Sequence, residues 1–302
     1  METTNAIINY RRHLKRRNCS AHTIRNYMNM LKQFVLWIDV PLEQATREKL
    51  TDYVDFLLDR KLKPKTINCH IGCIRAFYEY LQREEVLKIT NPVRKRFTLR
   101  LPRPLPRFLN DDEVRRLFEV INKVRDRAIF MLMLRTGLRV EEVSRLTLGA
   151  IDLKRKKIFV NQGKGGKDRV VYISSDANRA LIDYLQCRPL SRSRGLFLVE
   201  KGTCRGAPIS VRGIQKRIEY YSKKAGLKIS CHQLRHTMAT QLLNVDTNLS
   251  TIQDLLGHGR VTTTQRYCRV SNLKVQRDYH RAMEVIMQRT QPMHGRTGLY
   301  HR

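Results

Sequence analysis

Residues 91–107 constrain this chain more than any other segment. They hold four prolines and six basic residues in seventeen positions, from Asn91-Pro92 to Pro104-Leu105-Pro106-Arg107. Proline lacks a backbone N–H and fixes φ, so a helix cannot continue through such a run and the chain is driven toward extended structure. The segment reads as a basic interdomain linker, with Arg103 and Arg107 expected to touch the backbone of a nucleic acid. The 302 residues then divide into two domains of ordinary size.

Residues 1–90 read as helical. Ser20 is an N-cap candidate, and Ile24, Tyr27, Leu31, Phe34, Val35 and Ile38 follow at spacings that share one helix face. A second helix carries Leu50, Tyr53, Val54, Leu57 and Leu58. A third starts after Pro64 and carries Ile67, Ile71, Ile74, Phe77, Tyr78 and Leu81. Basic residues interleave throughout, so one face is expected to pack and another to meet phosphates.

The part after the linker, residues 108–270, begins at Asn110, with Glu113 three positions on, as in a capping box. Helices are expected from Val124 to Gly137 and around Val140, Val143 and Leu146. The period then turns strand-like at 157–160 and 169–173. The glycine-rich turn Gly163-Lys164-Gly165-Gly166-Lys167-Asp168 between them signals a hairpin. Helical patterns resume near Ala177, Val211, His232, Ile252 and Val275. The expected fold is mainly α with a small β-sheet. Residues 271–302 form a tail with a partly amphipathic helix.

Charge narrows the function. Lys and Arg number 59 against 27 Asp and Glu, a formal net charge of +32. That surplus exceeds what solubility needs and runs the length of the chain, which points to nucleic acid rather than to a membrane surface. With 41% hydrophobic residues a packed core is expected. No run of 18 apolar residues occurs, which excludes a membrane span, and the first residues lack a signal-peptide profile. Seven cysteines, an odd number without a C-x-x-C pair, speak against a disulfide framework or a structural zinc site. A reducing cytoplasmic setting, at the nucleoid, fits.

Three chemistries on nucleic acid can be weighed. A two-metal nuclease or polymerase needs clustered carboxylates; the single three-acid run, Asp111-Asp112-Glu113, sits at a helix start, where acids favour the dipole. An NTP-driven motor needs a Walker loop, and Asp168 follows Gly166-Lys167 where that loop needs Ser or Thr. Metal-free phosphoryl transfer needs a side-chain nucleophile, cations for the non-bridging oxygens and an acid for the leaving oxygen. The segment Cys231-His232-Gln233-Leu234-Arg235-His236 supplies a histidine and an arginine on one helix face. A metal pair from His232 and His236 lacks a third ligand. No metal and no cofactor are expected.

Further pieces stand in order along the chain: Arg139 with Glu142, the hairpin lysines, His232-x-x-Arg235, Gly257-His258, and Tyr267 nine residues after His258. This set resembles the tyrosine recombinases, the phage integrase family, and most closely its compact Xer-like and mobile-element members. The resemblance runs from about residue 5 to 270. It implies that Tyr267 attacks the scissile phosphorus and becomes a 3′-phosphotyrosine. Arg139 and Arg235 would grip the non-bridging oxygens, Lys164 would protonate the departing 5′ oxygen, His232 would assist proton transfer, His258 would bond the phosphate, and Glu142 would stand behind Arg139. Lys167, three positions after Lys164, is the alternative acid; otherwise it joins Arg169, Arg103 and Arg107 as an expected DNA contact. The physics agrees: a tyrosine with a pKa near 10 needs a concentrated positive field to attack.

The resemblance further implies a two-domain clamp on double-stranded DNA with inverted-repeat core sites. It implies strand exchange through a Holliday junction in a homotetramer, or in a heterotetramer with a related recombinase. The tail would dock on a neighbouring protomer. Its 35 residues beyond Tyr267 favour integration, excision or resolution of a mobile element. Xer-type chromosome dimer resolution and type IB topoisomerase-like relaxation are the alternatives.

Overall fold

The computed structural model describes residues 3–85, 89–94, 96–102, 107–161, 168–257, 264 and 279–287. The chain forms two compact units, Met1–Arg103 and Pro104–Arg302.

The first unit is all-helical: α1 (Thr3–Arg16), α2 (Ala21–Trp37), α3 (Arg47–Asp59) and α4 (Pro64–Arg83). Local chemistry starts each of the last three. The Ser20 hydroxyl accepts from Thr23 N–H at 3.1 Å and that of Thr46 from Lys49 N–H at 3.4 Å. Pro64 opens α4, where its missing N–H costs nothing. α4 is the core helix. Ile67, Ile71, Ile74, Phe77, Tyr78 and Leu81 are fully buried on it, and burial of side chains of this size is worth about 1.5–3 kcal/mol each. α1 was not separately legible in the sequence, because its buried stripe is only Ala6, Tyr10 and Leu14. Tyr10 meets Phe77 edge-on at 5.2 Å.

The expected linker over 91–107 needs a correction. Residues 89–99 are bound to the first unit where they are described. Val93 is buried, and Ile89, Phe97 and Leu99 pack on the core. The Asn68 amide donates to Leu99 C=O at 2.9 Å and accepts from Leu99 N–H at 2.8 Å. Arg75 donates to Arg94 C=O at 2.8 Å. Proline rules out a helix here, as expected, but an extended strap can still dock when side-chain amides replace a sheet partner.

The second unit opens with α5 (Asp111–Glu119), whose capping box joins Asn110 and Glu113 in both directions. Then come α6 (Val124–Thr136), α7 (Val140–Arg145), a 3-10 turn at Leu148–Ala150, and strands β1 (Ile151–Asp152), β2 (Lys157–Val160) and β3 (Arg169–Tyr172). Among the described residues these make one antiparallel sheet in the order β1-β2-β3, with Ile158 facing Val171 and Val160 facing Arg169. β1, two residues long, was not foreseen. The chain continues through α8 (Ser175–Cys187), α9 (Val211–Lys224), α10 (Cys231–Asn244) and α11 (Leu249–Leu256). Buried nearly all round, α6 packs against α8 and α10. Near its start, fully buried Asp126 accepts from Arg125, Arg217 and Tyr221, so the carboxylate is paired, as burial demands.

Residues 279–287 are helical, with Tyr279, Val285, Ile286 and Met287 exposed. Val275 lies outside the described residues. Among those described, no helix is long and apolar enough to cross a membrane, and no three His, Cys, Asp or Glu side chains gather as a metal group.

Candidate active site

The ends of α6 and α11 make the floor of the site. Each helix stops at a glycine in the left-handed region, Gly137 at φ +65° and Gly257 at φ +60°, where side chains are disfavoured. Gly137 is required twice over. A Cβ there would lie 2.8 Å from Leu256 Cδ2 and 3.1 Å from Met238 Sδ. The terminal carbonyls of the two helices carry the negative ends of their dipoles and lack helical partners.

Arg235 fills that place. It sits on α10, whose start Ser230 and Gln233 cap, and it is only 1% exposed. A guanidinium so buried needs acceptors. It donates to Gly137 C=O and to Leu256 C=O, each at 2.5 Å, and so ties α10 to the ends of α6 and α11.

Arg139 lies at the start of α7. Glu142, three residues on, accepts from its backbone N–H at 2.7 Å and from its guanidinium at 2.9 Å. The second Nη of Arg139 donates to Gly257 C=O at 3.3 Å. Glu142 is also held from β3. Arg169 donates through both terminal nitrogens to its two oxygens at 2.8 Å each, and through Nε to Leu255 C=O at 3.1 Å. Burial pushes the Glu142 carboxyl up, but the hydrogen bonds from Arg169 and Arg139 and their charges outweigh it, and its pKa falls to about 2. Two guanidiniums, those of Arg139 and Arg169, share this one carboxylate, while Arg235 donates to neutral carbonyls, so positive charge is in surplus at the site.

His232 stands one turn before Arg235 on α10 and is exposed. Its ring meets that of His236 edge-on at 4.3 Å. Partial loss of water, then the charges of Arg235 and Arg139, lower its pKa. The neutral ring, able to accept a proton, is therefore favoured next to the guanidiniums.

The structure thus brings Arg139, Glu142, His232 and Arg235 together. Lys164, Lys167, His258, Tyr267 and Arg103 lie outside the described residues; His258 is next in sequence after Gly257. Arg107 is exposed, its Nη2 3.6 Å from Glu113. Arg169 is a correction. Expected on DNA, it is 10% exposed, with all its described bonds directed at Glu142 and Leu255. That partnership was missed, and the signal was indirect: a carboxylate in a strongly basic site needs a cation to hold it. Tyr221 is buried with its hydroxyl donating to Asp126 at 3.0 Å.

Residues 107–274 match the phage integrase family, and residues 7–85 match the phage integrase N-terminal SAM-like domain. The chain belongs to the phage integrase family of tyrosine recombinases. Among relatives in this family, tyrosine recombinase XerC of Staphylococcus haemolyticus is 34% identical over 274 residues, covering 87% of this chain and 91% of that protein. Tyrosine recombinase XerA of Pyrococcus furiosus is 34% identical over 258 residues, covering 83% and 85%. The crystal structure of XerA recombinase is similar at 27% identity with a TM-score of 0.54, over 93% of this chain and 99% of that one. The Tn1549 transposon integrase in complex with transposon right end DNA matches at 17% identity with a TM-score of 0.74, over 87% and 94%; that likeness shows that the integrase fold is shared.

Proposed function

We propose that this tyrosine recombinase cuts and rejoins double-stranded DNA at inverted-repeat core sites, one strand pair at a time. The observation that carries the reading is the meeting of Arg139, Arg235 and His232 around the ends of α6 and α11. Planar guanidiniums suit the non-bridging oxygens of a phosphate. In the proposed step the Tyr267 oxygen attacks phosphorus and the bond from phosphorus to the 5′ oxygen breaks. His232, neutral, assists removal of the tyrosine proton, and Lys164 gives a proton to the leaving oxygen. His258 bonds the phosphate and Glu142 holds Arg139. The phosphotyrosine conserves the bond energy, so rejoining needs no nucleotide. The first unit supplies the second half of the grip on DNA, and Arg107, near the start of the second unit, lies on the phosphates.

Strand exchange through a Holliday junction requires four active sites, so the working assembly is a tetramer on DNA in the cytoplasm, at the nucleoid. The exposed apolar side chains of residues 279–287 support docking of the tail on a neighbour. Deleting residues 271–302 should abolish DNA-driven tetramers; intact tetramers would contradict that part.

The biological setting is integration, excision or resolution of a mobile element. The XerC and XerA relatives favour a second reading, resolution of chromosome dimers. One experiment separates them. Protein-linked DNA is recovered under denaturing conditions from cells making the wild type or Tyr267→Phe, and its ends are sequenced. Peaks at the ends of an element, lost in the variant, establish the first reading. One chromosomal site establishes the second. Adducts scattered over the genome contradict site specificity and point to topoisomerase-like relaxation.

A further inference from the structure

We propose that Arg169 is a positioning residue for strand cleavage: it clamps Glu142 and the end of α11 at once, and so fixes the spacing of the two arginines that hold the phosphate. This rests on the reading of Arg139 and Arg235 as phosphate ligands.

Those two arginines come from different elements, the start of α7 and the body of α10. Their common reference is the end of α11. Arg235 takes Leu256 C=O and Arg139 takes Gly257 C=O. Arg169 takes the carbonyl before them, Leu255. Three arginines from three elements thus meet three consecutive carbonyls. The Arg139 bond to Gly257 is the longest, at 3.3 Å. By itself it is a weak tether for a guanidinium that Arg235 repels and that a phosphate pulls.

Glu142 supplies the stronger hold on Arg139, by two bonds at 2.7 and 2.9 Å. What holds Glu142 to α11 is Arg169, through a fork of two 2.8 Å charge-assisted bonds and the third bond to Leu255. Without Arg169, Glu142 keeps Arg139 but loses its anchorage to α11. Lysine cannot substitute, because it has no planar fork and no Nε–H. Gly257 carries an independent mark of the same contact. A Cβ there would lie 3.0 Å from Arg169 Cδ and 3.2 Å from its Nε, so the helix end is shaped to let the guanidinium pass.

The test is single-turnover cleavage by the full chain on two substrates. One is ordinary DNA. In the other a methyl group replaces a non-bridging oxygen of the scissile phosphate, which removes its charge and much of its need for cations. Arg169→Lys should bind DNA as well as wild type. It should cleave ordinary DNA about a hundredfold more slowly, the scale of a small misplacement of reacting groups. On the methylphosphonate its deficit should shrink to about fivefold or less, as should that of Arg139→Ala measured beside it. An unchanged Arg169→Lys deficit, with Arg139→Ala rescued, overturns the inference and leaves the reading of the site standing. An Arg139→Ala deficit that does not shrink overturns that reading. Should Arg169→Lys melt below the assay temperature, Arg169→Gln carries the same comparison, because its amide can still donate to Glu142 but lacks the charged planar fork.

Discussion

The Glu142 carboxylate accepts from both ends of one residue, the backbone N–H of Arg139 at 2.7 Å and its guanidinium at 2.9 Å. The side chain is thereby aimed by the same group that starts α7. One acid serves as helix cap and as counter-ion, and Arg169 holds that acid in turn from β3.

This double use gives Glu142 a pH signature. Its pKa falls from an ordinary 4.5 to about 2 in the fold. A depressed carboxylate pKa adds stability that is present above the unfolded value and is lost as pH falls toward the folded one. The difference corresponds to about 3 kcal/mol, lost between about pH 5 and 2. In urea melts across that range, Glu142→Gln should be less stable than wild type at pH 7, and the gap should close as the pH drops. A gap independent of pH would contradict the assignment.

Gly137→Ala should damage cleavage more than folding. A left-handed alanine costs about 1–2 kcal/mol, and the new Cβ must displace Leu256, whose carbonyl binds Arg235. A small domain should lose roughly 4–8 °C in melting temperature per kcal/mol and a large one about half that. The variant should melt lower yet remain folded at 25 °C and bind DNA, while its single-turnover cleavage falls at least about tenfold. Wild-type cleavage by a folded Gly137→Ala would show that the helix ends do not aim Arg235.

For His232 the lowered pKa fixes a direction. If its neutral form takes part in proton transfer, cleavage should persist below the ordinary histidine value of about 6.5. The acid limb of the rate profile should disappear in His232→Gln. A limb at or above 6.5, or one retained in the variant, would remove His232 from that step.

Asn68→Ala should free the strap without unfolding the first unit. It deletes both part-buried amide bonds to Leu99, at a cost of about 0.5–1.5 kcal/mol for each hydrogen bond lost. Hydrogen exchange at Leu99 N–H should quicken while α4 amides stay protected. Uniform quickening would mean that the strap and the core open together.

Much of this architecture was readable from local signals. Ser20, Asn110 and Gly137 mark helix ends within a few residues of themselves, and the apolar spacing of α4 states its buried face outright. The cluster of Arg139, Glu142, His232 and Arg235 was readable as an ordered set of residue types. What escaped depends on long-range pairing. Arg169 is 27 positions from Glu142, and Leu99 is 31 from Asn68, so no periodicity links them. Composition hid both pairings: a basic residue next to a lysine-rich turn reads as a DNA contact, and a basic proline-rich run reads as an interdomain linker. β1 escaped because two residues carry no period.

The most direct test of the central claim is to locate the covalent bond. The full chain is reacted with a nicked substrate that traps cleaved product, then digested, and the peptide carrying nucleotide is sequenced by mass spectrometry. The proposed chemistry predicts a single adduct, at Tyr267, joined to a 3′ phosphate; Tyr267→Phe should bind the same DNA and yield none. An adduct on Tyr220 or Tyr279, or one that persists in Tyr267→Phe, would contradict it.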